Sequence, residues 1–229
     1  MTATEPALRV FNHKVQRRIV GFVSILLAPT LYLLRGEREI LDSISSYYWS
    51  DAGPVFIAGL AVVAMFLFAY NGRGGGYDQE FWLAKAGGLF ALAIALFPTS
   101  GDNGEAPPNW TISATAVFNI EPHHVHIAAA VLLFLVLPKM LWIFSRRAWE
   151  KRRPGRGRLY KAFAIAMAVG LVVGAIYMFF KIRGQVLPVF SNSSFVYWLE
   201  LYMLSLFGTA WLIAGVYTDS DEEPQTTET

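Results

Sequence analysis

A chain of 229 residues that is 55% hydrophobic and only 16% charged falls well below the roughly 25% charged residues of soluble domains, and its mean hydropathy is +0.41. With no cysteine, disulfide and thiolate chemistry are excluded. The net charge of +2 is too small to suggest nucleic acid as a partner.

Six apolar runs account for the hydropathy, approximately 15–34, 54–70, 81–99, 125–144, 159–180 and 195–217. Each is near the roughly 20 residues that cross about 30 Å of hydrocarbon as a helix. Lipid offers the backbone no hydrogen-bond partner, so such runs must be helices. Period-two alternation is absent, which removes a β-barrel. The expected fold is all-α: a polytopic integral membrane protein with six transmembrane helices, spanning 15–217, between a tail at 1–14 and an acidic tail at 218–229. That second tail contains "DSDEEPQTTET" (Asp219 to Thr229), the composition of a disordered segment.

In chain order, run 1 follows Arg9, Lys14, Arg17 and Arg18 but lacks a small-x-small cleavage site before Arg35, so it reads as a retained helix rather than a signal peptide. Pro29 inside it predicts a kink. "DSISSYYWSDAG" (Asp42 to Gly53) leads into run 2, and its aromatic residues suit the interface belt. "GRGGG" (Gly72 to Gly76) joins runs 2 and 3 and lacks the Gly-Lys-Ser/Thr ending of a phosphate-binding loop. "SGDNGE" (Ser100 to Glu105) follows run 3. Then comes "EPHHVH", Glu121 to His126, holding three of the four histidines at the head of run 4.

The connection "RRAWEKRRPGRGR" (Arg146 to Arg158) is strongly basic. Its plainest use is to orient the helices; it also suits anionic lipid headgroups. Ala166, Gly170 and Gly174 place small residues every fourth position of run 5, where helices pack closely inside the bundle. Run 6 embeds Glu200 in "VYWLELYML". An acid within a span is costly and normally faces a partner in the bundle.

Counting loop by loop, fifteen of the 19 Lys and Arg residues fall on one side and four on the other (Arg35, Arg38, Lys181, Arg183). The positive-inside rule then puts both termini in the cytoplasm. The localisation expected is a multi-pass membrane protein, in the cytoplasmic membrane if the source is bacterial. Two sequons, at Asn109 and Asn192, fall on the outer side.

On that outer side the polar residues converge. His126 and His123 share a helix face, and Ser50, Asp51 and Glu200 lie at the same level. Expected is a ligand-binding site of Ser50, Asp51, His126 and Glu200, in which Glu200 and His126 form a buried charge-assisted pair and Asp51 caps or gates it. Three readings fit. The favoured one is recognition or handling of a lipid or other amphiphile. In the second, His123, His126 and Asp51 (or Asp102 or Glu200) hold zinc for a membrane-embedded lipid hydrolase. In the third, His126 and Glu200 relay protons in a coupled transporter. His-His-x-His is weak as a metal pattern, and there is no His-Glu-x-x-His.

"HIAAAVLLF" (His126 to Phe134), "ISSYYWSDAGPVFIAGL" before and within run 2, and "WLAKAGGLFALAIALFP" in run 3 resemble the DRAM family of six-span membrane proteins, whose distant relatives include GPI-anchor lipid-remodelling proteins and bacterial six-span proteins. Matched residue by residue, the resemblance reaches Ser50, Asp51, Gly53, His126 and Glu200. It implies a six-helix fold with cytoplasmic termini and a lipid-associated function, and supplies no reaction. His123, His124 and the longer basic loop depart from the pattern and favour a bacterial-type relative over an autophagy modulator. Seven-span ceramidase-like hydrolases use similar ingredients (Ser, Asp, three His around zinc), but this chain lacks their seventh span and late His-x-x-x-His.

Overall fold

The computed structural model describes residues 13–37, 39–72, 77–101, 120–185 and 194–216. These form six α-helices, with no strand among the described residues: α1 His13–Arg35, α2 Gly53–Ala69, α3 Gln79–Leu96, α4 Pro122–Glu150, α5 Pro154–Ile182 and α6 Phe195–Val216. A short 3-10 turn, Ser45–Trp49, precedes α2. Every apolar run became a helix. Five of the six are long and apolar enough to cross a membrane; α2, at 17 residues, is the shorter one.

Local signals explain several of the boundaries. Proline opens α4 and α5 and occupies the first turn of α2, where its missing N–H leaves nothing unsatisfied. Asp78 caps α3, its carboxylate accepting the Phe81 N–H at 2.8 Å. α1 continues through Pro29, and α4 through Pro138.

Each helix packs on its neighbours in the chain, and α6 returns to pack on α1, so the six close into a ring. Consecutive helices run in opposite directions. One end of the bundle, the basic end, gathers Arg17, Glu80 and Arg147; the other, the histidine end, gathers His126 and Glu200. The exterior is as apolar as lipid requires, with Phe22, Leu26, Val131, Leu135, Val169 and Val172 all exposed.

The closing contact depends on two glycines. A Cβ on Gly208 would lie 2.6 Å from the Gly21 carbonyl oxygen, and one on Gly21 would lie 2.8 Å from that of Gly208. The backbones of α1 and α6 approach so closely there that only glycine fits on both sides. The small residues singled out on α5 also pack inside the bundle: Gly170 and Gly174 abut Leu199 of α6.

Candidate functional site

At the histidine end, Glu200 is held by backbone rather than by a histidine. Its Oε2 accepts the Ile44 N–H at 2.7 Å. Ile44 is the N-cap of the 3-10 turn, so Glu200 satisfies a donor that the start of any helical turn leaves free. Three further bonds tie the same segment down. The Tyr197 N–H donates to the Asp42 carbonyl at 2.9 Å, the Ser194 hydroxyl to Ile40 at 3.1 Å, and the Trp49 indole to Thr99 at 3.1 Å. Residues 40–50 therefore form a cover over this end of the ring.

Tyr47 and Tyr48 of that cover are buried, not spread along an interface as the belt reading expected. Tyr47 packs on Tyr197 (ring centroids 6.0 Å apart), and Tyr48 packs edge-on to Phe56. Burial pushes the Tyr48 phenol up to about 12, so it stays neutral at ordinary pH. Trp198 is half exposed, as a belt residue should be.

His126 is 2% exposed. Its Nδ1 lies 2.7 Å from the Phe97 carbonyl, just past the C-terminus of α3, where helical carbonyls lack partners. A carbonyl can only accept, so Nδ1 carries the proton, and in the neutral ring Nε2 holds a bare lone pair. That nitrogen is buried and makes no hydrogen bond among the described residues.

The expected His126–Glu200 pair is therefore not formed, because each group is committed to a backbone atom of a different segment. Ser50 acts as a turn-former, its hydroxyl donating to Tyr47 at 2.8 Å and accepting from Ala52 at 3.2 Å, while Asp51 is exposed beside it. The His123 and His124 rings lie against one another, tilted by 39°, with centroids 4.0 Å apart. No group of three or more His, Asp or Glu side chains gathers as a metal would require among the described residues. Asp102, Asn109, Asn192 and the tail beyond residue 216 lie outside the described residues.

The basic end holds an ionic network that the sequence reading missed. Glu80, 1% exposed, forms a salt bridge with Arg147. The Tyr70 hydroxyl donates to Glu80 Oε1 at 2.5 Å. Arg17 donates to the Tyr70 oxygen at 2.9 Å and to the Ala214 carbonyl at 3.3 Å, and Asp78 lies 3.7 Å from Arg147. Trp211, fully buried, packs on Tyr70, Phe144 and Phe207 beneath it. Five helices are thereby joined through one carboxylate and one phenol.

The carbonyls that end α2 early are also taken up here. Gln16 donates to Phe66 at 2.5 Å. Lys85 donates to Phe68, to Tyr70 at 3.1 Å and to the Asn71 side chain at 3.1 Å. The Glu80 carboxylate meets Arg147 and the Tyr70 hydroxyl, and Arg17 and Lys85 donate to neutral oxygens, so these contacts hold helices together.

No family model, no curated protein and no solved structure matches the chain.

Proposed function

We propose that the protein is a six-span membrane protein that binds a lipid or similar amphiphile at its outer end, with His126 as the polar anchor. Six spans follow if α1 and α3 both cross. α2 connects the end where α1 stops to the end where α3 starts, and its 17 residues are within the roughly 17–25 that suffice. The positive-inside rule then makes the basic end, and both termini, cytoplasmic.

The observation that carries the binding role is the buried Nε2 of His126. A buried acceptor without a donor costs about 1–3 kcal/mol, and a hydroxyl or amine of a headgroup would remove that cost. His123, one turn away on the same helix face, adds a further donor. The zinc hydrolase would need second and third ligands beside His126, and one candidate, Asp102, lies outside the described residues. The proton carrier drew on a His126–Glu200 relay, and these two groups are bonded elsewhere.

The test is lipid analysis of the detergent-purified chain, wild type beside His126→Leu, with elemental analysis of the same samples. A hydroxyl- or amine-bearing amphiphile retained by wild type and lost from the variant is expected. An identical lipid complement in both would overturn the reading, and stoichiometric zinc lost with His126 would replace it with the hydrolase.

A further inference from the structure

Among the described residues α4 and α5 are the longest helices, 29 residues each, or about 43 Å at 1.5 Å per residue. They exceed an approximately 30 Å hydrocarbon layer by about two turns, and part of that excess forms a hairpin at the basic end. Counting about 20 residues along α4 from Val125 reaches Phe144. Trp142 therefore lies just inside the hydrocarbon boundary and Arg146 just beyond it.

Three contacts fix the register of the hairpin. The Lys161 ammonium sits over the Trp142 ring at 5.6 Å, Phe144 packs on Tyr160 with centroids 5.9 Å apart, and the Ser145 hydroxyl donates to the Gly157 carbonyl at 2.8 Å. One turn further towards the tip, the same register sets Arg146 level with Arg158. Trp142 and Arg146 are four apart on α4, and Arg158 and Lys161 three apart on α5, so the four share one face.

All four are exposed. No ion pair joins Arg146, Arg158 or Lys161 to an acid among the described residues, although Glu150 follows one turn on. Three like charges within about a turn's height repel one another, and an anion placed between them relieves that repulsion.

We propose that Trp142, Arg146, Arg158 and Lys161 form a binding site for the headgroup of one anionic phospholipid of the cytoplasmic leaflet. The phosphate meets the two guanidinium groups, which suit it geometrically. The indole of Trp142 meets the glycerol region and first methylenes, where its apolar body and polar edge both find partners. Lys161, its stem along the ring, supplies the third charge. The site rests on the reading that α4 and α5 cross the membrane, and is independent of His126.

The test uses the full chain reconstituted with phosphatidylcholine and phosphatidylglycerol, extracted in mild detergent and weighed by native mass spectrometry. Wild type is expected to retain phosphatidylglycerol in preference to phosphatidylcholine. The variant R146Q/R158Q/K161Q should lose that preference by roughly five-fold per charge removed, and K151Q/R152Q, at the hairpin tip, should keep it within about two-fold. Lys161→Gln alone serves if the triple variant fails to fold. Equal losses in the tip variant would overturn the site in favour of diffuse attraction. Displacement of the lipid by millimolar inorganic phosphate would overturn it in favour of a soluble anion. Indifference to both lipids in a chain that resists alkaline extraction would overturn this proposal alone. Release of the wild type by alkaline carbonate would overturn the membrane reading, and the site with it.

Discussion

Arg147, three residues from the end of α4, reaches Glu80 in the first turn of α3, and the Tyr70 hydroxyl binds the other oxygen of the same carboxylate. The carboxylate is buried, so its desolvation cost is offset only while both partners are present.

Removing one partner is therefore worse than removing both. Arg147→Ala and Glu80→Ala should each destabilise the bundle by about 3–5 kcal/mol. Glu80→Leu combined with Arg147→Met should restore much of that loss. Thermal unfolding in detergent, read as a double-mutant cycle, checks this; equal and additive losses would show that the pair is not coupled.

Tyr70→Phe keeps the ring against Trp211 and removes only the hydroxyl that joins Arg17 to Glu80. A loss of about 1.5–3 kcal/mol is expected, the worth of a hydrogen bond to a charged group. The same unfolding assay reads it, and a change below experimental error would mean that Arg17 and Glu80 do not depend on the phenol.

Glu200→Gln leaves an oxygen to accept the Ile44 N–H, whereas Glu200→Leu leaves that donor bare. Hydrogen exchange across residues 40–50 should rise sharply in Glu200→Leu and little in Glu200→Gln. A role resting on the charge, such as proton relay, would make the two variants alike.

Gly208→Val forces a side chain into the Gly21 carbonyl and should destabilise by about 1–3 kcal/mol or more, measured as lowered thermal stability. Gly155→Ala makes the matched control, because a Cβ there meets nothing within 4 Å.

The absence of cysteine allows topology to be mapped cleanly. A single cysteine at Gln185 should react with a membrane-impermeant maleimide on intact cells, and one at Lys151 only after permeabilisation. The opposite pattern would invert the assignment of ends.

The residues missed at the basic end were missed through one turn of helix. Hydropathy starts run 3 at Phe81 and ends run 4 at Phe144, which makes Glu80 and Arg147 loop charges. α3 begins at Gln79 because Asp78 caps it, and α4 continues to Glu150. Asp78 followed three residues later by an apolar run was the available signal for the first; nothing local marked the second. Arg17 and Arg147, counted as topology determinants, also have structural partners: Arg147 pairs with Glu80, and Arg17 donates to Tyr70 and Ala214.

What the sequence by itself determined is the set of helices and the alternation of their ends. Twenty apolar residues in lipid have no alternative to internal hydrogen bonding, and charge on the connections decides which ends lie together. The prominence of His126 and Glu200 was also legible, since buried polar residues in apolar runs demand partners. Which partners they take was decided only by tertiary structure. Glu200 meets the backbone of Ile44, 156 positions away, and His126 meets the carbonyl of Phe97. Every residue carries the same backbone donor and acceptor, so composition cannot mark which one a side chain will reach. The ring closure that brings Arg17 of α1 to Ala214 of α6 makes that choice.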